Sequence, residues 1–545
     1  MKPPSSAKRA KAVPVPATTL PSLDVQIFEK AVEFHRIGDE AKAEPLYRAA
    51  LVLNHLHAES NYNLGLILHG QNRFAEAVPY YRDAIFARMD YADAYGNLGS
   101  VMKELGKVQE AMIFYRQAVA YAPLNPQSHS NMAIALNEQG LGDEALTAFR
   151  RAIVVDPSYV WGYLNMTPCL LDLGMPQASV DTCRRGIALR PDMAILRHNL
   201  GASLKTLNQL DESIASFRSA IALQADFGEA HFALGQTLLM RGDYTEGWAE
   251  YDWRWTLPDY AWLRNIHGEF AQPRWRGEEA RGKSILIYAE QGLGDAIQYA
   301  RYIPRVQELG LKVVVAVHPP VKPLFSTMPG ITVAVLDQEL PACDLHCPMM
   351  GLPEIFGTTI DTVPAEVPYL SVDPEKARLW RNRISGSGLR VGLVWAGNPT
   401  QKGDRWRSPR LASVMPLFDV PGVQFVALQK GPGREDLAAH PLPGNVLDLG
   451  EEIVDFSDTA AIMAGLDLVI TSCTAPLHLA GALGAPVWGM IPHSPHFLWG
   501  LERLDSPWYP SLRLYRQDQH GKDWSGAIGR MASDLAHLAE MKKAG

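Results

Sequence analysis

The chain of 545 residues is too long for one compact core, and at roughly 100–200 residues per domain it predicts about three or four units. Apolar residues make up 47% and charged residues 20%, which is typical of globular proteins, and no apolar run approaches the ~18 residues of a membrane span. The net charge of −8 gives no general attraction to nucleic acid or anionic membranes. Five scattered cysteines favour reduced thiols over a disulfide framework. We therefore expect a cytoplasmic protein without membrane insertion or a nucleic-acid partner.

Residues 1–23 are rich in proline, alanine and lysine and contain no acidic residue before position 24. Such a segment cannot bury enough apolar surface to fold, so we expect a disordered tail. Its basic residues are not followed by an apolar run, which argues against a secretory signal.

The first half of the chain repeats every 34 residues, in seven frames from residue 24 to about residue 261. Small residues share three positions of the frame, an aromatic residue a fourth, and proline a fifth, as in Gly65, Ala77, Ala84, Tyr81 and Pro123. Small residues let helices cross closely, an aromatic ring fills the remaining gap, and proline ends a helix. The pattern predicts helix-turn-helix units and resembles tetratricopeptide repeats. Such arrays form a superhelix whose concave face binds peptides.

One further position of the repeat is occupied by asparagine in five successive frames, namely Asn63, Asn97, Asn131, Asn165 and Asn199. The spacing predicts a row on the inner groove of the superhelix. A carboxamide both donates and accepts hydrogen bonds, so the row can hold an extended peptide backbone. The alternative is that asparagine here only supports packing or solubility. The row resembles the asparagine ladder with which O-linked N-acetylglucosamine transferases hold protein acceptors.

The seventh repeat ends in a tryptophan-rich segment that contains Trp248, Trp253 and Trp255. It predicts a hydrophobic joint, either as a cap of the last helix pair or as a rigid interface with the C-terminal half of the chain. Residues 262–282 are interpreted as a structured linker.

From Ser284 onward, apolar strands alternate with helices, which predicts α/β architecture with parallel sheets covered on both faces. Strands are expected at 284–290, 312–318, 331–337, 389–395, 423–430, 466–471 and 486–491. The pattern restarts after Gly386, so we predict two Rossmann-like lobes, 283–385 and 386–545, the second with a closing helix at 524–541. Each lobe would present the carboxyl ends of its strands to a shared cleft.

The first motif with chemical potential is Gln291-Gly292-Leu293-Gly294-Asp295, which follows a strand and opens a helix. Gly292 and Gly294 would let a donor approach the backbone, and a helix N-terminus favours anions. Asp295 is either an N-terminal partner of the helix or a catalytic group. The motif lacks the third glycine of the dinucleotide fingerprint, and the chain has no phosphate-binding Walker sequence.

The second motif joins a strand to a helix through Ser472-Cys473-Thr474-Ala475-Pro476, with His478 one turn further on. The backbone N–H groups at Ala475 and the hydroxyls of Ser472 and Thr474 are suited to a diphosphate. Thr474 and His478 share one face of the helix because they are spaced i to i+4. The alternative is an ordinary capped helix.

A basic loop after the first strand of the second lobe supplies further donor candidates. The candidates in and near this loop are Trp395, Asn398, Lys402, Arg405 and Lys430, and Arg407 and Arg410 complete the cluster. Cations neutralise phosphate, whereas Trp395 and Asn398 would contact the sugar or base. His493 and His496, in a loop after the last central strand, would close over the donor or have no role.

The two motifs together resemble the heptosyltransferase-like glycosyltransferases of family nine over about residues 283–535. This resemblance implies a GT-B fold, Asp295 as catalytic base, and Thr474 and His478 as donor-loop residues. The family commonly has Asp where Cys473 stands here. A fusion to seven tetratricopeptide repeats is similar to bacterial proteins thought to glycosylate polypeptides, including flagellins.

The resulting hypothesis is an inverting, metal-independent transfer from a nucleotide-sugar co-substrate to a polypeptide held in the repeat groove, without a further cofactor. No Asp-x-Asp pair occurs in the sequence, and Cys343, His346 and Cys347 lack a fourth partner for a tetrahedral metal site. Two alternatives remain open. One is a non-catalytic adaptor with a degenerate glycosyltransferase lobe, and the other is a surface-polysaccharide transferase.

Overall fold

The computed structural model describes residues 21–260, 270–384, 386, 388–401 and 403–544. It contains two compact units, Met1–Cys169 and Leu170–Gly545. Nearly all of the predicted tail at 1–23, the beginning of the predicted linker at 262–282, and Lys402 lie outside the described residues.

The N-terminal region consists of antiparallel helix pairs, as the repeat predicts. The described residues of the first unit form α1 (Leu23–Arg36), α2 (Glu40–Leu53), α3 (Ala58–Gly70), α4 (Phe74–Ala87), α5 (Ala92–Glu104), α6 (Val108–Tyr121), α7 (Pro126–Glu138) and α8 (Gly142–Val155). Helix α9 (Val160–Asp172) contains the unit boundary. The second unit continues with α10 (Pro176–Leu189), α11 (Ala194–Thr206), α12 (Leu210–Leu223), α13 (Gly228–Arg241) and α14 (Tyr244–Tyr251). From the second pair on, first helices begin at 58, 92, 126, 160, 194 and 228, always 34 residues apart.

The small and aromatic positions of the repeat meet in the second and third helix pairs. A Cβ atom on Gly65 would lie 2.8 Å from the ring of Tyr81, and one on Gly99 would lie 2.9 Å from the ring of Tyr115. Because real Cβ contacts are longer than this, glycine at this position lets the ring lie directly on the helix backbone. The sequence interpretation of these two positions is confirmed.

The C-terminal region contains two parallel sheets. The four-stranded sheet has the order β3-β2-β1-β4 and is built from β1 (Ser284–Tyr288), β2 (Lys312–Val317), β3 (Thr332–Val335) and β4 (Leu345–Pro348). The six-stranded sheet has the order β10-β9-β8-β5-β6-β7 and is built from β5 (Leu389–Val394), β6 (Val423–Ala427), β7 (Leu447–Asp448), β8 (Leu468–Ser472), β9 (Val487–Ile491) and β10 (Leu512–Arg516). All pairings are parallel, as predicted, whereas β4, β7 and β10 were not predicted.

Helices connect the strands of these sheets. They are α15 (Leu293–Tyr299), α16 (Ile303–Glu308), α17 (Lys322–Phe325), α18 (Leu352–Ile355), α19 (Pro374–Arg383), α20 (Asp404–Arg407), α21 (Arg410–Val414), α22 (Phe456–Met463), α23 (Ala475–Ala482) and α24 (Ser525–Ala544). None of the helices in the described residues is long and apolar enough to span a membrane.

The tryptophan-rich segment forms a packed joint within the second unit. The indole N–H of Trp248 donates to the carbonyl of Thr358 at 3.0 Å. Arg254 pairs with Glu290 at 2.8 Å, and both side chains are almost completely buried. Glu290 directly precedes the first glycine motif, so this ion pair fixes the end of the last repeat to the beginning of that motif. The predicted interface is therefore present.

Candidate functional site

The two sequence motifs are packed against each other between the two sheets. Helix α15 of the first motif contacts helix α23 of the second. A Cβ atom on Gly294 would lie 3.0 Å from Cδ2 of His478 and 3.4 Å from Cα of Ala475. The space beside Gly294 is thus occupied by the second motif. Gly292, by contrast, is exposed. A Cβ atom there would lie 3.3 Å from Oδ2 of Asp295.

Asp295 lies in the first turn of α15 and is partly exposed. Its Oδ2 atom accepts a hydrogen bond from the backbone N–H of Gly292 at 3.1 Å. Burial raises the pKa of Asp295 to about 6, although that hydrogen bond and the charge of Arg407 act in the opposite direction. A carboxylate with this pKa is mostly ionised at neutral pH and is well matched to accept a proton. Asp295 is therefore an N-terminal partner of its helix and also suited to act as a base.

His478 is buried and lies in a hydrogen-bond network between the two motifs. Its Nδ1 atom lies 3.2 Å from Oε1 of Gln298 and 3.0 Å from the hydroxyl of Tyr509, and Tyr509 also donates to Gln298. Burial, with the charges of His496 and Arg301, lowers the pKa of His478 to about 3. The ring is neutral at physiological pH and joins α23 to α15.

The loop before α23 has an inner and an outer side. Ser472 is fully buried, and Cys473 is buried with its sulfur 3.0 Å from the indole nitrogen of Trp499, which donates to it. Burial raises the pKa of the Cys473 thiol, so this side chain is a neutral packing group. Thr474 and Ala475 are partly exposed at the beginning of the helix. Of the residues predicted here, these two are accessible to a donor, whereas Ser472 is enclosed.

Trp395 requires a correction. Its side chain is fully buried, its indole N–H donates to the carbonyl of Gly433 at 3.0 Å, and its backbone N–H donates to Gln429. The ring belongs to the core of the second lobe and does not face a ligand, so the predicted contact with the donor is wrong. The hydrophobic strand end that favoured a ligand contact serves packing instead. Asn398 is exposed and bonds Thr400 in its own turn.

Two of the predicted cations point elsewhere than toward Asp295. Arg405 is exposed and forms an ion pair with Asp172 at the end of α9. Lys430 is exposed, and its ammonium donates to the carbonyl of Ile453. Lys402 is outside the described residues. The structure therefore does not bring Arg405 and Lys430 together with the two motifs.

The cation that does reach the motifs is Arg407. A Cβ atom on Gly397 would lie 2.8 Å from Cγ2 of Thr474 and 3.2 Å from Nη2 of Arg407, so this guanidinium and the second motif meet at Gly397. Arg407 also lies 3.2 Å from Asp404, and its charge offsets part of the increase that burial causes in the pKa values of Asp295 and Cys473. The sequence placed Arg407 in the basic cluster, but nothing in its spacing singled it out.

The predicted asparagine row lies on partly exposed helix surface in both units. In the first unit, Asn63, Asn97 and Asn165 donate to the hydroxyls of Tyr47, Tyr62 and Ser130 at 3.2, 3.0 and 3.5 Å. Asn131 instead lies opposite a glycine, 4.0 Å from the Cβ position of Gly96. In the second unit, Asn199 lies 3.3 Å from His198. Most of these amides therefore use one hydrogen bond within the array and keep part of their surface exposed.

Comparisons with known proteins match the repeat region directly. The tetratricopeptide repeat model matches residues 28–92, 70–128, 104–160 and 198–252. Protein FlbA of Caulobacter vibrioides is 30% identical over 340 residues, which cover 56% of this chain and 55% of FlbA. The chain thus spans about half the length of this relative.

Solved repeat proteins are similar at lower identity. YrrB, described as a TPR protein with an unusual peptide-binding site, is 20% identical, with a TM-score of 0.29, and covers 34% of this chain and 95% of its own. A tetratricopeptide repeat protein from Parabacteroides merdae is 18% identical, with a TM-score of 0.37, and covers 43% and 93%. The N-terminal region is a tetratricopeptide array, in a chain that is similar over about half of its length to part of FlbA and that continues into an α/β region with two parallel sheets.

Proposed function

We propose that this protein is a glycosyltransferase of the GT-B type that moves a sugar from a nucleotide-sugar to a polypeptide held by the repeat array. The observation that carries the proposal is the arrangement around Asp295. A carboxylate whose pKa is raised to about 6 lies in the turn that packs on the partly exposed start of α23, and the charge of Arg407 acts on it. A base, a helix N-terminus and a cation are the groups that glycosyl transfer from a diphosphate needs.

The domains we propose are an array at 24–261, a linker at 262–282, and lobes at 283–385 and 386–545. The donor would bind between the lobes at Gly292, Thr474 and Ala475. Arg407 and the N–H groups of α23 would stabilise the negative charge that develops on the leaving diphosphate.

In the proposed reaction, Asp295 takes the proton from an acceptor hydroxyl as that oxygen attacks the anomeric carbon. The new carbon–oxygen bond forms on the face opposite the breaking bond to the phosphate oxygen, which inverts the configuration. The nucleoside diphosphate leaves with the bonding electron pair. We propose no metal in this step, because the sequence lacks the paired aspartates that chelate diphosphate in GT-A enzymes.

The acceptor polypeptide would lie along the asparagine row. All five amides are partly exposed, and a carboxamide can pair with both the N–H and the carbonyl group of a bound backbone. Asn131 lies opposite Gly96 rather than a hydroxyl, so its amide is the best placed to receive an incoming backbone.

A second candidate is a non-catalytic adaptor, which the packing of Cys473 favours. The family that the motifs resemble commonly has Asp at this position, whereas here a neutral thiol is buried against Trp499. In the adaptor, the lobes would bind a nucleotide-sugar without transferring it.

The test combines binding and turnover. We would measure melting temperatures with ADP-, UDP-, GDP- and CMP-sugars, and then nucleotide release with the sugar that stabilises. A ligand that binds the native state raises the melting temperature by mass action. The transferase predicts nucleotide release that falls by about 10²–10⁴-fold in Asp295→Asn while the thermal shift persists. A thermal shift without release would favour the adaptor, and no shift with any sugar would contradict both.

A further inference from the structure

The turn after helix α11 of the repeat array reaches the loop that follows strand β9. The side-chain amide of Asn208 donates to the carbonyl of His493 at 2.8 Å, and the hydroxyl of Ser494 donates to the carbonyl of Lys205 at 3.5 Å. Asn208 has a φ of +60°, a left-handed conformation that asparagine tolerates, in the turn between α11 and α12. The sixth repeat is thus docked on the second lobe.

The same loop leads directly to the second motif. Phe497 packs on Trp248 and Tyr251 with ring centroids 5.6 and 5.9 Å apart. Two residues later, Trp499 donates to Cys473. A short stretch of chain therefore connects the end of α11 with the loop where the donor is proposed to bind.

Lys205 lies at this contact, and the surroundings of its ammonium group are unusual for a lysine. Its Nζ atom donates to Oε1 of Gln236 at 2.9 Å, and among the described residues no carboxylate lies within ion-pair distance of it. Burial lowers the pKa of Lys205 to about 8, so the group still carries its charge at neutral pH. A desolvated ammonium without a counter-ion is costly unless an anion joins it.

His496 is influenced both by the charge of Lys205 and by the charge of Arg407, which belongs to the proposed site. Its pKa is lowered to about 3, first by burial and then by the charges of Lys205 and Arg407. The ring is partly exposed, and both cations act on it. Arg407 in turn meets Thr474 at Gly397. Lys205 of the repeat array and Arg407 of the second lobe are therefore both within electrostatic reach of His496.

The partner of the Lys205 ammonium differs from that of an equivalent lysine in the first unit. Lys103 occupies the same position of the repeat three frames earlier in the chain. Its ammonium lies 3.1 Å from Glu138, so its charge is balanced within the array. The position of Glu138 is occupied by Met240 in the frame of Lys205, and the ammonium of Lys205 instead donates to the neutral Gln236.

We propose that Lys205, a residue of the repeat array, binds an anionic oxygen of the donor diphosphate together with Arg407. This rests on the proposed function and deepens it, because the donor site would then be completed by the sixth repeat. Lys205 is a binding residue in this proposal, since it would hold the phosphate oxygen through charge-assisted hydrogen bonds.

The experiment is titration calorimetry with ADP, UDP, GDP and CMP and, separately, with inorganic pyrophosphate on the full chain. The variants are Lys205→Met, Lys205→Gln and Lys205→Arg, with Lys103→Met as the matched control. We expect Lys205→Met and Lys205→Gln to weaken binding about tenfold or more, Lys205→Arg to restore part of it, and Lys103→Met to leave it unchanged. Lys205→Gln keeps a polar group beside Gln236, so a loss of binding in this variant is not explained by misfolding. The melting temperature of each variant verifies that it is folded.

The outcomes separate the two proposals. Wild-type affinity for a nucleotide in both Lys205→Met and Lys205→Gln would overturn the role of Lys205 and leave the transferase standing. Pyrophosphate binding that depends on Lys205, without binding of any nucleotide, would support an anion site and contradict the nucleotide-sugar donor. If neither probe binds the wild type, both proposals fail.

Discussion

Repeats of the same design have different polar surroundings in the first unit and in the second. Charged side chains pair within the array in both units, as Lys103 does with Glu138 in the first and Arg218 with Glu246 in the second. In the second unit, the sixth and seventh repeats direct polar groups into the α/β region, as Asn208, Lys205 and Arg254 do. The helical framework is the same, with glycine against an aromatic ring in both parts.

This difference indicates a division of labour within one array. In the proposed function, the repeats whose charges are satisfied internally would offer their groove to the acceptor. The last repeats give side chains to the neighbouring lobes and thereby become part of the proposed donor site. Substitutions at equivalent repeat positions should therefore have unequal effects in the two units.

The largest effect is expected at the arginine that reaches the two motifs. Arg407→Met removes a cation that meets Thr474 at Gly397 and acts electrostatically on Asp295, whereas Arg405→Met removes an exposed ion pair with Asp172. Hydrogen bonds to charged groups contribute about 1.5–3 kcal/mol, so we expect Arg407→Met to weaken nucleotide binding roughly 10- to 100-fold. Arg405→Met should change it less than about twofold. Calorimetric dissociation constants for both variants measure the contrast, and equal losses would contradict the assignment of Arg407.

The next prediction concerns the shared helical framework. Gly99→Ala places a methyl group 2.9 Å from the ring of Tyr115, whereas Gly70→Ala adds a methyl group with no neighbour within 4 Å. Overpacking typically costs about 1–3 kcal/mol, so Gly99→Ala should lower the free energy of unfolding by that amount and Gly70→Ala should not. Because Gly99 lies in the first unit, nucleotide affinity should be unchanged in both variants. Denaturant unfolding and calorimetry measure these effects, and a neutral Gly99→Ala would contradict the packing argument.

The third prediction concerns pH and the buried histidine between the motifs. His478 has a pKa of about 3 in the folded protein against an ordinary value of 6.5, so the unfolded chain binds its proton first. The contribution of His478 to the free energy of unfolding is complete above pH 6.5 and is lost as the pH falls toward 3. By about pH 5 the loss should reach about 2 kcal/mol, since each pKa unit corresponds to about 1.4 kcal/mol.

His478→Gln should flatten this acid-side loss, because glutamine carries no titrating proton and every other ionisable group stays in place. The measurement is the free energy of unfolding from about pH 8 to about pH 5 for wild type and variant. Parallel pH curves would show that His478 is not held neutral in the folded protein.

The repeat array could be predicted from the sequence because the repeats share the same packing arrangement. Glycine and the aromatic ring recur at fixed spacing, and the helix boundaries follow from that spacing. The central strands of the lobes were also predictable from their apolar runs. The short strands β4, β7 and β10 were not, because Leu345–Pro348 and Leu447–Asp448 are too brief for a pattern and Leu512–Arg516 alternates with arginine.

Prediction of the site was less complete for a physical reason. Local sequence shows which residues follow a strand or begin a helix, as it did for Asp295 and Thr474. It does not show which of several cations points inward, and Arg405, Arg407 and Lys430 differ only in their tertiary partners. Trp395 was assigned to a ligand although its ring completes a core, and Lys205 became notable only through a contact 289 residues away along the chain.

The most direct test of the central claim is the pH dependence of kcat/KM for nucleotide release with the donor that the panel identifies. If Asp295 is the base, kcat/KM should rise with pH through an apparent pKa of about 6 and reach a plateau near neutral pH. This limb should be absent from the residual activity of Asp295→Asn, with nucleotide affinity retained. A profile without a limb near pH 6, or the same limb in Asp295→Asn, would contradict the proposed role of this carboxylate.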